Sequence, residues 1–199
     1  VSRSGDVAAA ADPRSALRRR DRGKDDAWIR AFLHAAPFGF LATVGEGAQP
    51  YLNSNLFVFD EARHCLYLHT HRTGRTRDNV TAREKVAFSA AAMGRLLPAA
   101  EALEFSVEYA GAVVFGTGRV LDDEEECRHG LQILLEKYAP HLRYGEDYRG
   151  ITAAELKRTA VYRVDIETWS GKQKEVAADF PGAYALSQPP VPFPKRSGD

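Results

Sequence analysis

The stretch from Cys65 to Asn79 changes character halfway along, and that change limits what the chain around it can build. Leu66, Leu68 and Thr70 alternate with Tyr67, His69 and His71, the period-two pattern of a strand. Thr73-Gly74 breaks the pattern, and Asp78 to Arg83 continues as a short helix. Three arginines, Arg72, Arg75 and Arg77, crowd the break. A helix that opens on a glycine leaves its first backbone N–H groups free. Those donors and the positive helix end attract an anion, and arginines add charge and forked donors. The residues allow two readings: a phosphate seat with a histidine beside it, or a solvated basic turn.

Alternation recurs through the rest of the chain. Phe38 to Val44 and Pro50 to Phe59 flank the turn Gly45-Glu46-Gly47 and read as a hairpin. In its second strand Leu52, Ser54, Leu56 and Val58 share one face, and Tyr51, Asn53, Asn55, Phe57 and Phe59 the other. Asn53, Ser54 and Asn55 sit in mid-strand, where polar groups need partners; a bound polar ligand or a barrel rim open to water would supply them. Lys85 to Ala91 is a further strand, and Ala92 to Leu103 reads as a loop. Phe105 to Leu121 alternates at length but is interrupted by Gly111, Gly116 and Gly118, which predicts two strands or one bent strand. Ala160 to Thr168 is the last strand and ends in Trp169-Ser170-Gly171-Lys172.

Helices fall at the margins of this pattern. Asp25 or Asp26 caps one that carries Trp28, Ile29, Phe32 and Leu33 on one stripe. The acids Asp122 to Glu126 open another, with Cys127, Leu131, Leu134, Leu135 and Tyr138 as its apolar stripe and Pro140 as its stop. Thr152 and Glu155 form a capping box for a third. The expected fold is mainly β with peripheral helices, a six-stranded antiparallel β-barrel, closed or split, since closure removes sheet edges. Residues 1–24 read as a flexible N-terminal arm, 25–176 as the barrel domain and 177–199 as a Pro-rich extended tail.

Composition excludes several classes. Of 199 residues 44% are hydrophobic, enough for a core. Lys+Arg and Asp+Glu balance at 27 each, so no global field draws the chain to nucleic acid or to a membrane, and the basic turn is a local feature. Two cysteines, Cys65 and Cys127, argue against a disulfide framework and fit a cytoplasmic location. No apolar run approaches the roughly 20 residues of a membrane span, and no signal peptide is visible. His64, His69 and His71 lie close together, but no carboxylate stands at a suggestive offset, so no metal site is assigned. Walker, Rossmann and Gly-x-Ser-x-Gly patterns are missing. His69 reads either as a strand-end histidine bonded to a carbonyl or water, or as a side chain in a ligand cavity able to pass a proton.

Four segments together resemble the pyridoxamine 5′-phosphate oxidase-like family of FMN-binding split barrels, and within it the 5-nitroimidazole resistance (Nim) type. They are Gly39 to Thr43 with Pro50 to Ser54, Leu66 to Thr70 with Gly74, Arg75 and Asn79, Phe105 to Tyr109 with Val113 to Gly116, and Tyr162 to Glu167 with Trp169 to Lys172. The resemblance selects the six-stranded antiparallel split β-barrel, and it implies a homodimer holding FMN at its interface and a small-molecule substrate. It implies that Arg75 and Thr76 meet the FMN phosphate, with Arg72 or Arg77 replacing the family's lysine, and that Thr70 belongs to the same segment. It implies that Asn53, Ser54 and Asn55 meet the flavin ring, that His69 is the catalytic histidine, and that Trp169 and Lys172 reach the flavin from a neighbouring region or subunit. The activity implied is an FMN-dependent oxidoreductase, with a nitroaromatic as one candidate substrate. The alternatives are a flavin-sensing module without turnover, a barrel that has exchanged its ligand for haem, with His69 and His71 as iron ligands, or for a deazaflavin, and a plain dimeric scaffold with an empty cleft.

Overall fold

A computed structural model describes residues 12–186. One eight-stranded antiparallel sheet dominates it. In chain order the elements are β1 (Gly23–Lys24), α1 (Asp26–Ala35), β2 (Gly39–Val44), β3 (Pro50–Asn55), β4 (Phe57–Asp60), β5 (Cys65–His71) and α2 (Arg75–Ala82). There follow β6 (Lys85–Leu97), β7 (Ser106–Val120), α3 (Glu124–Tyr138), α4 (Ala153–Leu156) and β8 (Thr159–Lys174). The strands run in the spatial order β3-β2-β6-β7-β8-β5-β4, with β1 added to β8.

The two ends of that path, β3 and β4, are neighbours in sequence, separated by Leu56 alone. One residue cannot span an open sheet of this width, so the sheet must curl until its ends meet. The result is a barrel with a split. Above the split β4 pairs β5 from Phe57↔Leu68 to Asp60↔Cys65; beyond it β3 pairs only β2. The expected split barrel is therefore present, with eight strands where six were expected. The run from Pro50 to Phe59 is two strands rather than one, because Leu56 carries the chain from one end of the sheet to the other.

Two other strands, β6 and β8, run further than expected. The stretch Ala92 to Leu103, expected to be a loop, continues β6 as far as Leu97, because β7 is there to pair with it through Leu97↔Ser106. Of the two alternatives for Phe105 to Leu121, the single strand is present: β7 is continuous over Ser106–Val120, with a register shift at Phe115/Gly116. β8 runs on through Trp169 and Lys172 to Lys174, held by β7 along its whole second half. Of the expected arm, residues 12–24 form two 3-10 turns and β1, tied down by Arg14 Nη1 to Glu167 at 2.7 Å and by Arg22 to the Tyr109 hydroxyl. Residues 1–11 of that arm and 187–199 of the Pro-rich tail lie outside the described residues. The described part of the tail bridges back to β6 at Leu96↔Tyr184.

Two apolar layers hold the sheet. The barrel interior contains Leu41, Phe57, Leu66, Leu68, Phe88, Val114, Tyr162 and Val164, sealed by Ile29 and Leu33 of α1 and by Val80 of α2. The other face of β5 and β8 presents Cys65, Tyr67 and Val161 to α3, where Cys127 and Leu134 meet them. β5 is thus covered on both sides, and its alternating sequence feeds both layers. α1 begins at Asp25, whose carboxylate accepts from the Trp28 N–H at 2.9 Å, and the capping box of α4 forms as expected.

Candidate functional site

The split leaves two strand edges without partners. On β3 these are the backbone groups that face away from β2; on β5 they are those of His69 to His71, beyond the last pair with β4. Open edges present N–H and C=O groups ready to bond a ligand as though it were a further strand. The edges lie close at their origin, where the Asn55 side-chain amide comes to 3.5 Å of the His69 carbonyl. α2 bridges from the end of β5 to the β2–β3 hairpin, where the Asn79 amide donates to the buried Thr43 hydroxyl at 2.9 Å and Arg83 donates to the Gly45 carbonyl. The split is therefore a three-sided opening, walled by β3, the end of β5 and α2.

α2 begins on Gly74, at φ 140°, with no side chain capping it. Its first bonded amide is that of Asp78, to the Gly74 carbonyl, so the N–H groups of Arg75, Thr76 and Arg77 face outward from the first turn. Arg75 lays its guanidinium over the Tyr51 ring, 5.1 Å from the centroid, beside a cavity of about 640 Å³ lined by Gly45, Gln49, Asn79 and Arg83. Thr76 is buried, so its side chain is part of the packing under α2. Arg77 lies two positions after Arg75 and thus on the opposite side of the helix.

Among the described residues, three buried side-chain atoms have no hydrogen-bond partner: Asn55 Oδ1, His69 Nδ1 and Arg77 Nε. All three belong to the strands and helix that form the split. Such groups are costly when left alone; Asn55 Oδ1 and Arg77 Nε mark the split as a place for something else to bind, whereas His69 Nδ1 belongs to the far side of β5. Arg77 makes no ion pair among the described residues, and its charge reaches the Tyr162 hydroxyl. Burial pushes that hydroxyl's pKa up; the hydrogen bond from Thr70 and the Arg77 charge pull the other way. Thr70 Oγ1 and the Tyr162 hydroxyl are 2.7 Å apart at the inner end of the barrel.

His69 divides between two places. Its carbonyl faces the split, whereas its imidazole points to the opposite side of β5, under α3. There it lines a cavity of about 500 Å³ with Leu131, Leu134, Leu135, Tyr148 and Arg149. Burial alone lowers the pKa of this imidazole, so it is held neutral. The side chain expected beside the flavin ring thus lies behind the strand that carries it.

The expected residues separate into groups. Asn53, Asn55, Thr70, Arg75 and Thr76 wall the split, and Ser54 shares β3 but is exposed on the outer face. Arg72 turns away: its amide donates to the Arg158 carbonyl and its charge is felt at Cys127. Trp169 donates to Asp26 at 2.8 Å, lies under Arg30 and packs edge-on to Phe59 and His64, on the flank covered by α1. Lys172 pairs with Gly111 and Gly23 and lies near the Tyr109 ring. Within one chain neither Trp169 nor Lys172 joins the split. Sequence reasoning missed Tyr162 as a wall of the site; a phenol alternating with aliphatic residues on the interior face was its one signal. It also missed the leucine-lined cavity, since the stripe of α3 reads as core. Among the described residues no group of three or more His, Cys, Asp or Glu is arranged to hold a metal.

A split barrel with an anion-seeking helix start beside two open strand edges defines a class of ligand-holding barrel. The sequence profile described as pyridoxamine 5′-phosphate oxidase matches residues 25–173, and the chain belongs to that family. No curated protein sequence matches it. Among solved structures, the flavocytochrome Anf3 from Azotobacter vinelandii is similar with a TM-score of 0.75 and 20% identity, over 94% of this chain and 92% of that one. The FAD and heme binding protein from Mycobacterium smegmatis gives 0.71 and 21%, over 89% and 91%. A candidate 5-nitroimidazole antibiotic resistance protein from Bacteroides thetaiotaomicron VPI-5482 gives 0.63 and 19%, over 75% and 84%. At these identities the likeness speaks for the fold. No helix among the described residues is long and apolar enough to cross a membrane.

Proposed function

We propose that the chain is a flavin-binding oxidoreductase that holds FMN across the split of its barrel and works as a homodimer. The carrying observation is the concentration of unpartnered polar groups, Asn55 Oδ1 and Arg77 Nε, beside two open strand edges and an uncapped helix start. A flavin has a polar pyrimidine edge, an apolar ring and a phosphate tail, and the split offers a partner to each. Arg75 and the first-turn amides of α2 take the phosphate. The edges of β3 and β5 take the ring. A single phosphate seat is the reason for FMN rather than FAD. When bound, the flavin supplies two-electron redox chemistry toward a small organic substrate, a nitroaromatic being one candidate. The protein binds, orients and keeps water from the ring.

Dimerisation is argued from the outer face of the barrel. Phe38, Phe40, Leu52 and Met93 expose between 45% and 65% of their surface along β2, β3 and β6. Next to them the wall of β6 and β7 is floored by Ala91, Ala110, Gly111 and Val113. An apolar sheet face of this kind is a surface for a second copy. The partner copy would then bring its own Trp169 and Lys172 toward this split.

A second reading is favoured by His69. A half-buried imidazole with a buried, unpartnered Nδ1, beside a cavity walled by three leucines and edged by Arg149, would serve as an iron ligand in an apolar seat for haem. The similar structures named as a flavocytochrome and as an FAD and heme binding protein support the same reading. The flavin split and the haem cavity lie on opposite sides of β5, so the readings are compatible.

The visible spectrum of the purified protein tests both. Bands near roughly 370 and 450 nm, with FMN identified by mass after heat release, are expected for the flavin; FAD in that mass spectrum would correct the phosphate argument. A Soret band that disappears in His69→Ala, with the flavin bands retained, is expected for the second reading. Arg75→Ala is expected to weaken FMN binding by roughly ten- to a hundredfold, the worth of a charge-assisted hydrogen bond. FMN affinity unchanged in that variant would remove the phosphate seat.

A further inference from the structure

We propose that Arg77 and Asn55 are a matched donor and acceptor that read the pyrimidine edge of the flavin, and that Arg77 rather than Arg75 sets the electrostatics of the ring. The inference rests on the flavin reading and assigns a role to the residues it leaves unexplained.

Arg77 and Arg75 differ in where they point. Arg75 leans over Tyr51 toward the β2–β3 hairpin. Arg77 is half-buried, with its Nε shut away from solvent and without a partner. Its charge acts on the Tyr162 hydroxyl, which is bonded to Thr70 on the open end of β5. Asn55 reaches the carbonyl of His69, the residue before Thr70, with its amide nitrogen and leaves Oδ1 free. The unmet acceptor thus stands beside His69, and the unmet donor lies on α2, the helix that follows β5, with its charge felt at the phenol bonded to Thr70. An imide edge, a carbonyl beside an N–H, satisfies both at once: its carbonyl accepts from Arg77 and its N–H donates to Asn55 Oδ1. A phosphate could satisfy Arg77 but would leave Asn55 Oδ1 facing another acceptor. That mismatch chooses the ring edge over the tail. A fixed positive charge at that carbonyl favours the anionic form of the reduced flavin, and so raises the reduction potential of the bound cofactor.

Comparison of FMN with riboflavin, which has the same ring and no phosphate, separates the two arginines. Wild type, Arg75→Ala, Arg77→Gln, Arg77→Lys and Asn55→Leu are titrated with each ligand, and the bound-flavin potential is measured against reference dyes. Thermal melts of the ligand-free proteins show that each variant folds. Arg77→Gln and Asn55→Leu are expected to weaken FMN and riboflavin by the same factor, roughly ten- to a hundredfold for the arginine. Arg75→Ala is expected to weaken FMN alone. Arg77→Gln is expected to make the bound-flavin potential more negative, and Arg77→Lys to restore part of the shift. Loss of FMN affinity with unchanged riboflavin affinity in Arg77→Gln would make Arg77 a phosphate ligand and overturn the proposal, as would an unmoved potential. Wild-type protein that takes up neither ligand removes the flavin reading itself, an outcome distinct from either.

Discussion

His69 is the residue whose surroundings say most about its chemistry. Its Nδ1 is buried and unpaired, and partial burial of the ring holds its pKa below the usual value of about 6.5. The unfolded chain therefore binds a proton at His69 before the folded chain does. Between the lowered folded value and about 6.5 the unfolded state carries more protons, so stability rises with pH through that window and is lost as pH falls through it. His69→Leu, which fills the apolar cavity without a titrating group, is expected to flatten this part of the stability–pH curve, measured by urea unfolding between pH 5 and pH 7. An unchanged slope would mean that the imidazole is solvated in solution. At this scale the sequence already showed a good deal. Asn53 and Asn55 were out of place in a strand, and Arg75 stood at a helix start. Side-chain direction could not be read: His69 sits on the right strand, but its period-two face is the one that α3 covers. Arg77 looked like one more charge in a basic run, because burial of a single guanidinium nitrogen leaves no trace in a local pattern.

Elements meet through positions that admit no side chain. Gly130 of α3 rests on the Tyr67 ring, where a Cβ would come within 2.7 Å of the ring carbon. Gly130→Ala is expected to lift α3 from β5 at a cost of about 1–3 kcal/mol, read as a fall in melting temperature of roughly 2–4 °C per kcal/mol. Because α3 is the roof over His69, the same variant also tests whether that cavity depends on the helix. Gly116 stands at the register shift of β7, and a Cβ there would meet the Asp165 carbonyl oxygen at 2.0 Å, so backbone would have to move. Gly116→Ala is expected to be the more damaging of the two by the same thermal measurement. Helix starts were legible in the sequence because a cap is a local bargain between a side chain and the next few amides: Asp25, Asp123 and Thr152 all cap as their residue types suggest. Strand lengths were not. Ala92 to Leu97 has little strand character of its own and is extended because β7 lies beside it, and Trp169 to Lys174 is strand for the same reason.

For the whole molecule, the exposed apolar face of β2, β3 and β6 predicts the state of assembly. Phe40→Glu changes an exposed residue of β2 whose neighbours across the sheet are Ser54 and Ser89, so it leaves the barrel interior alone. It is expected to convert a dimer to monomer in sedimentation velocity with an unchanged far-ultraviolet spectrum; a variant that still dimerises would place the interface elsewhere, and a wild-type monomer would remove the dimer altogether. The architecture followed from the sequence as far as antiparallel strands and short turns could carry it. The residues alone left the barrel closed or split, and the family resemblance chose the split; its position was not legible, because it depends on one ordinary leucine, Leu56, falling between strands that belong to opposite ends of the sheet.

That leucine also orders events in time. The hairpins β2–β3 and β4–β5 join residues near in sequence and can form early. They cannot be brought edge to edge until β6, β7 and β8 have assembled between them, and β5–β8 pairing links distant parts of the chain. Closure at the split is therefore expected to be the last step of folding and its reverse the first step of unfolding, an order that pulsed hydrogen exchange of the β3 and β5 amides would check. A ligand that bridges β3 and β5 acts on the seam itself. It should slow opening while leaving the refolding rate almost untouched, so that the loaded protein gains lifetime more than it gains speed.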